Sequence, residues 1–278
     1  MKKDDTNNLD RIKHPQEILL PGGKVGMVDI KPSSLLENSI PVFVGGGWGS
    51  RPEDYSEFIE GLVDSGRHTL SLYSIHGINP SKKLKQEVKD KNYSFPRGAM
   101  RKVAAILELM EKSKINKIDA IAHSECGIPM TIAALLHPEK FRSVTLVDSA
   151  GMMNYKRLMK FIKRYYLYSK REPAPNMDRI LETILSRHTL AIAYSQATTY
   201  IGHWLKELKD KGVNILYVHS LGDKLYTTER LLGVEKTLEM EMVDELITIE
   251  SVHSGISTDA KPYLVAINNY LKKLDKKL

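Results

Sequence analysis

The sequence predicts an α/β protein in which a mostly parallel sheet of about eight strands carries helices on both faces. From residue 40 onward, short apolar runs alternate with stretches of helical periodicity. This alternation is typical of parallel strands joined by crossover helices. The chain begins differently, with two strand-like runs on either side of Pro21-Gly22-Gly23. Such a turn predicts a hairpin, and therefore an antiparallel edge to the sheet.

The individual elements follow from their residue patterns. The predicted strands are apolar runs that stop at a polar or glycine-rich loop, and they cover residues 16–20, 24–30, 40–44, 68–74, 118–122, 144–148, 213–219 and 245–249. The predicted helices have apolar residues three and four positions apart, and they cover residues 52–65, 96–113, 128–136, 228–240 and 260–274. Pro52 begins the first of these helices, and Pro138 ends the third.

Three kinds of segment follow from this order. Residues 1–14 are mostly polar, and we expect a loose N-terminal tail. Residues 152–211 show only helical patterning, interrupted at 172–175, and we expect a helical insertion after the sixth strand. Residues 15–151 and 212–278 then form the α/β core, and the length of the chain suits one large α/β domain or two small ones.

Composition limits the classes of function. The chain has 278 residues, a net charge of +7 and a single cysteine, which excludes an internal disulfide framework. It shows no nucleic-acid-binding motif, so the basic charge alone does not argue for DNA or RNA. No apolar run approaches the ~20 residues that span a bilayer, so we expect no stable membrane insertion. No secretory signal pattern is seen at Met1, and we expect a cytoplasmic protein.

The segment 156–171 carries seven basic side chains and no acidic one. On a helical wheel, the first five basic residues lie opposite Leu158, Phe161, Ile162 and Tyr165. One interpretation is the solvated face of a helix that packs through its apolar stripe. The other is a surface for anionic substrates or for peripheral contact with membrane headgroups. The sequence leaves both open, and it leaves the oligomeric state open as well.

Ser124 lies on the predicted turn between a buried strand and a helix, with small residues two positions away on each side, Ala122 and Cys126. A nucleophile on such a sharp turn usually stands in Gly-x-Ser-x-Gly. Ser124 could instead be only a helix N-cap. Cys126 is a poor nucleophile candidate, because an elbow centred on it would put Ile128 where a small side chain is required.

A serine needs a base and an orienting acid to become a nucleophile, and Asp223 and His253 follow later strands in the order Ser, Asp, His. The carboxyl ends of parallel strands meet at one edge of a sheet, so these residues are expected to converge. Asp223 could be only a turn residue and His253 only a loop histidine. Asp148, at the end of an earlier strand, is the alternative acid.

These motifs resemble those of the α/β-hydrolase-fold serine hydrolases of the esterase and lipase type. The likeness covers residues 16–274 and lies in Gly-Gly-Trp-Gly-Ser at 46–50, Ala-His-Ser-Glu-Cys-Gly at 122–127, and the loops of Asp223 and His253. The resemblance implies that Ser124 is the nucleophile, His253 the base and Asp223 its partner. It also implies that the insertion 152–211 is a cap over the active site.

By the same resemblance, the oxyanion hole consists of the backbone N–H groups of Trp48 and Glu125. The run of glycines before Trp48 also fits a pattern in which glycines are the donors. Substrate contacts are expected from Gly47 and Trp48 and from cap residues such as Phe161, Tyr165 and Trp204.

The expected activity is hydrolysis of a carboxylic ester of a small to medium apolar small molecule through an acyl-enzyme, with no cofactor and no metal. A lipase, a thioesterase, an amidase and a hydrolase of carbon–carbon bonds remain alternatives on the same three residues. A ligand-binding or receptor protein without hydrolytic activity is the alternative of another class.

Overall fold

The computed structural model describes residues 8–73, 77–152, 157–171, 187–228 and 242–277. The strands are β1 Gln16–Leu20, β2 Gly23–Ile30, β3 Val42–Gly45, β4 Thr69–Tyr73, β5 Ile118–His123, β6 Phe141–Val147, β7 Asn214–Ser220 and β8 Glu245–Ile249. The α-helices are α1 Asn8–Lys13, α2 Ser56–Asp64, α3 Lys82–Asp90, α4 Arg97–Lys112, α5 Gly127–Leu136, α6 Leu158–Arg171, α7 Arg187–Thr198, α8 Gly202–Asp210, α9 Gly255–Thr258 and α10 Lys261–Asp275.

The eight strands form one sheet in the order β1-β2-β4-β3-β5-β6-β7-β8. β2 pairs antiparallel with β1 and with β4, and every other neighbouring pair is parallel. The predicted sheet, with its antiparallel edge hairpin, is therefore confirmed. Because the parallel strands run the same way, the loops after β3, β5, β6, β7 and β8 meet at one edge of the sheet.

Two hydrophobic cores lie on opposite faces of this sheet. On β7, Ile215 and Tyr217 face the core that contains α4, α5 and α8, whereas Leu216 and Val218 face the core that contains α2 and α10. Both faces of the central strands are thus covered by helices, which explains why those strands are continuous apolar runs rather than alternating ones. The prediction of helices on both faces is confirmed.

The N-terminal segment differs from the expected loose tail. Residues Asn8–Lys13 form α1, and the side chain of Ile12 is fully buried against the core of α2 and α10. A helix this short is not stable in isolation, and α1 is stabilised by its packing against β2 and α2. Residues 1–7 lie outside the described part of the chain.

The range predicted as a cap contains helices of two kinds. α8 packs against α5 and β7 with Leu205 and Leu208 fully buried, which is the position of a crossover helix of the core. α6 instead packs on α7, and α7 packs on α4. Residues 172–186 and most of the predicted helix 228–240 lie outside the described residues. None of the helices described is long and apolar enough to cross a membrane.

Candidate active site

Ser124 occupies a sharp turn between β5 and α5, at the edge of the sheet predicted from the sequence. It begins a short 3-10 turn, Ser124–Cys126, and its backbone φ is +52°. A residue with a side chain rarely adopts this left-handed conformation, and strained backbone of this kind is concentrated at functional sites. The turn places the hydroxyl at the start of α5, where backbone N–H groups are not used by the helix.

The elbow is tightly packed on both sides, which accounts for its small residues. A Cβ on Gly127 would lie 1.7 Å from Oγ of Ser149. A Cβ on Gly45 would lie 2.3 Å from Sγ of Cys126. The thiol of Cys126 fits here because Gly45, at the end of β3, has no side chain. Burial raises the pKa of Cys126 to about 12, so the thiol is an inert packing group at neutral pH.

The structure brings Ser124, His253 and Asp223 together in one hydrogen-bonded chain. Nε2 of His253 lies 2.9 Å from Oγ of Ser124, and Nδ1 of His253 lies 2.8 Å from Oδ2 of Asp223. The other carboxylate oxygen, Oδ1, accepts the backbone N–H groups of Leu225 at 2.6 Å and Tyr226 at 2.8 Å. These bonds fix the carboxylate and so orient the imidazole toward the serine.

Asp148, the alternative acid, is fully buried but has other partners. Its carboxylate accepts the backbone N–H of Ser220 at 2.7 Å and the hydroxyl of the same residue at 2.5 Å. Nδ1 of His219 lies 3.3 Å from it. Asp148 therefore supports the end of β7, whereas Asp223 is hydrogen-bonded to the imidazole of His253.

The glycine-rich loop after β3 lies directly against the elbow. A Cβ on Gly47 would lie 3.2 Å from Cβ of Ser124, closer than most side-chain contacts, so a glycine favours this approach. The backbone N–H of Gly47 donates to the hydroxyl of Tyr55 at 2.8 Å. Trp48 follows in the same loop and is buried beside the serine. On the other side, the buried carboxylate of Glu125 pairs with the ammonium of Lys102 on α4.

His123, directly before the serine, connects three parts of the site. Its Nδ1 lies 2.7 Å from the hydroxyl of Tyr55, and its Nε2 lies 2.9 Å from the backbone carbonyl oxygen of His253. Burial, followed by the proximity of His253, lowers the pKa of His123 to about 3, so the ring is neutral. A carbonyl only accepts, so Nε2 carries the proton and Nδ1 accepts from Tyr55.

A cleft opens above the serine. Its walls are mainly aromatic and polar side chains together with Gly47, and they comprise Gly47, Trp48, Ser50, Tyr55, His123, Ser124, Tyr165, Tyr168, His253, Ser254 and Ser257. The ring of Tyr165 lies 5.5 Å from that of Trp48, and the ring of Tyr168 meets that of His253 edge-on at 5.2 Å. α6 therefore covers Ser124 and His253 with two tyrosines.

Of the predicted substrate contacts, Gly47, Trp48 and Tyr165 line this cleft, but Phe161 and Trp204 do not. Phe161 is fully buried behind Tyr165, with ring centroids 5.9 Å apart. Trp204 lies on α8 and packs edge-on against Phe95 at 5.3 Å. The predictions that Phe161 and Trp204 line the cleft are wrong, because both side chains pack in the hydrophobic core.

Two tyrosines of the cleft were not predicted from the sequence. Tyr168 stands three positions after Tyr165, so helical spacing could have identified it. Tyr55 is 68 residues from its partner His123 and follows no motif, so nothing in the sequence pointed to it.

A group of His123, Asp148 and His253 offers ligand atoms within 4.8 Å of one another. Both nitrogens of each imidazole are already hydrogen-bonded, to Tyr55 and a carbonyl in one ring and to Asp223 and Ser124 in the other. A metal bound here would have to displace hydrogen bonds that hold His123 and His253 in place. We therefore assign no metal to this group.

Comparisons with known proteins agree with this architecture. No protein-family model matches the chain, and no curated protein matches it by sequence. Solved structures do match over most of its length. A structure from work on carboxylesterases of Nitrososphaera gargenis is 14% identical and covers 95% of this chain and 100% of that chain, with a TM-score of 0.64.

Two further structures match over a comparable length. The enol-lactonase of Burkholderia xenovorans is 12% identical over 92% of this chain and 100% of that chain, with a TM-score of 0.62. A meta-cleavage product hydrolase of Pseudomonas fluorescens is 12% identical over 93% of this chain and 98% of that chain, with a TM-score of 0.60. With the strand order and the placement of Ser124, these likenesses establish that the chain has the α/β-hydrolase fold.

Proposed function

We propose that the protein is a serine hydrolase that cleaves a carboxylic ester of a small to medium apolar substrate. The observation that carries this proposal is the chain from Ser124 through His253 to Asp223, with heavy-atom distances of 2.9 and 2.8 Å. A serine hydroxyl is a weak nucleophile until a base removes its proton, and this geometry supplies that base with an oriented tautomer.

The reaction follows from the positions of these groups. Oγ of Ser124 attacks the ester carbonyl while Nε2 of His253 takes its proton. His253 then gives the proton to the leaving alcohol, and an acyl-enzyme remains. A water molecule activated by the same imidazole releases the acid and restores the serine. Asp223 holds the ring and stabilises its positive charge in both steps.

The negative oxygen of the tetrahedral intermediate needs two N–H donors, and we assign these to the backbones of Trp48 and Glu125. The alternative that uses glycines as donors is less well supported, because the N–H of Gly47 is already bound to the hydroxyl of Tyr55. One such donor is worth about 2.7–4 kcal/mol in the transition state.

The cleft supports a modest, apolar acyl or alcohol group. Trp48, Tyr165 and Tyr168 form its apolar walls, and the described part of the site contains no cofactor-binding motif. We include α6 and α7 in a cap over the site, and we assign α8 to the core.

A fluorophosphonate probe tests the nucleophile. We expect the wild type to be labelled and Ser124→Ala to remain unlabelled. The matched control is Ser257→Ala, which removes another hydroxyl from the same cleft and should leave labelling intact. A wild type that is not labelled would instead favour a binding protein without hydrolytic activity.

The bond and substrate size are tested with p-nitrophenyl esters of increasing acyl length, alongside matched thioesters and amides. We expect the highest kcat/KM for esters with short to medium acyl chains. Preference for a thioester or amide would move the activity to that bond. Cleavage of emulsified triglycerides without cleavage of short esters would make the protein a lipase.

A further inference from the structure

The two faces of α6 differ in their surroundings: one lines the cleft and the other is exposed. The inner face carries Phe161, Tyr165 and Tyr168, and the last two of these cover the cleft beside Trp48 and His253. The outer face points away from the core. What binds the outer face therefore lies within one helix diameter of the mouth of the site.

The outer face exposes an unusual amount of apolar side chain. Met159, Ile162 and Tyr166 follow one another at spacings of three and four residues, and Met159 is 72% exposed and Tyr166 56%. Leu167 lies beside them and is also exposed. Single exposed apolar residues are common on soluble proteins, but a contiguous patch on one helix marks a contact surface.

Basic side chains are interspersed with this patch. Lys160, Lys163 and Lys170 are exposed on the same side of the helix, and the ammonium of Lys170 lies 4.5 Å from the ring centre of Tyr166. Arg157 is exposed just before the first turn. No acidic residue lies between positions 157 and 171.

The neighbouring helix α7 also exposes apolar and basic side chains. α7, which packs on α6, exposes Leu190 and Tyr194 one turn apart and begins with the exposed Arg187. It contains no acidic residue. A surface that combines exposed apolar and basic side chains, with no acidic side chain on either helix, complements an apolar layer covered by negative charge.

We propose that the outer face of α6 binds the surface of an anionic lipid bilayer. Met159, Ile162 and Tyr166 would enter the boundary between headgroups and acyl chains, while the lysines reach the headgroup phosphates. Docking in this way places the cleft under Tyr165 and Tyr168 at the bilayer surface. The proposal concerns binding alone, and it holds whatever bond Ser124 cleaves.

The test is co-sedimentation of the full chain with vesicles of phosphatidylcholine containing phosphatidylglycerol, compared with vesicles of phosphatidylcholine alone. We expect binding to the anionic vesicles that weakens as salt is raised. The pair Lys160→Gln and Lys163→Gln should weaken it about 25-fold, since each basic residue near an anionic surface contributes about fivefold. Ile162→Ser with Tyr166→Ser should weaken it at every salt concentration.

The matched control is the pair Lys82→Gln and Lys85→Gln on α3, two exposed lysines with the same spacing but no exposed apolar partners. It should bind as the wild type does. Circular dichroism confirms that each variant is folded.

Three results would overturn the proposal. The first is a wild type that ignores anionic vesicles. The second is equal weakening by the α3 pair, which would show attraction by net charge alone. The third is a dimer in sedimentation velocity that the Ile162 and Tyr166 variants dissociate, which would assign the patch to a second copy of the chain.

Discussion

The hydroxyl of Tyr55 lies 2.7 Å from Nδ1 of His123 and also accepts the backbone N–H of Gly47 at 2.8 Å. Through the opposite ring nitrogen, His123 binds the backbone carbonyl of His253. One tyrosine thereby links the glycine-rich loop, the turn of Ser124 and the loop of His253. The alignment of these three loops depends on a side chain outside the hydrogen-bonded chain of Ser124, His253 and Asp223.

Tyr55→Phe tests this link. The change leaves the N–H of Gly47 and Nδ1 of His123 buried without their partner, and each unsatisfied group costs about 1–3 kcal/mol. We expect kcat to fall on the order of tenfold, with a smaller change in KM, because the loops move relative to Ser124. Tyr270→Phe is the control, since its buried hydroxyl has no hydrogen-bond partner among the described residues. An unchanged kcat in Tyr55→Phe would contradict a positioning role.

The low pKa of His123 predicts a pH dependence of stability. The folded protein keeps this ring neutral down to about pH 3, whereas the unfolded chain binds a proton near pH 6.5. Below pH 6.5 the unfolded state therefore gains stability, and the free energy of unfolding falls by about 1.4 kcal/mol per pH unit from this group. Urea unfolding of His123→Asn at pH 7 and pH 5 should show a loss smaller than that of the wild type by about 2 kcal/mol. The exposed His14→Asn should match the wild type.

The two buried carboxylates predict opposite phenotypes. Asp223→Asn removes the acceptor of the imidazole proton and should lower kcat by about 10⁴-fold. Asp148→Asn should mainly lower Tm, because Asp148 accepts both bonds from Ser220 and none from His253. Initial rates and thermal melts of both variants make the comparison. The acid would be reassigned if Asp148→Asn lost activity and Asp223→Asn kept it.

The contact between Gly45 and Cys126 predicts compensation. Gly45→Ala places a methyl group 2.3 Å from the thiol and should destabilise the protein by about 1–3 kcal/mol. Cys126→Gly removes the sulfur and restores the glycine usual at this position of the elbow. The double variant should therefore be more stable than Gly45→Ala alone. A double-mutant cycle by chemical denaturation measures this, and simple additivity of the two changes would argue against the contact.

The fold and the three central residues were predictable because they depend on order along the chain. Each residue follows a recognisable strand, and parallel strands carry such residues to one edge whatever the detailed packing. Ser124, Asp223 and His253 therefore needed no knowledge of side-chain contacts. The distances between them remained to be seen in the structure.

Side-chain direction on α6 was not predictable in the same way. The sequence indicated an inward stripe containing Ile162, whereas the structure turns Ile162 outward and Tyr168 inward. More than half of this helix is apolar or aromatic, so several rotations bury a similar area. The contact of Tyr168 with His253 belongs to one of these rotations, and it lies between residues far apart in the sequence.

Trp204 was misplaced for a related reason. A long run of helical patterning does not reveal where the chain leaves the insertion and returns to the core. Leu205 and Leu208 of α8 are fully buried in the core beside α5, and we therefore propose that the return lies before α8.

The left-handed backbone of Ser124 lowers the stability of the fold at the residue that we propose as the nucleophile. A side chain at φ +52° costs about 1 kcal/mol that a glycine would not. Ser124→Gly should therefore yield a protein that is inactive and melts at least as high as the wild type. Natural selection for stability alone would remove this serine. The presence of a serine on this strained turn between β5 and α5 is consistent with a functional role of its hydroxyl.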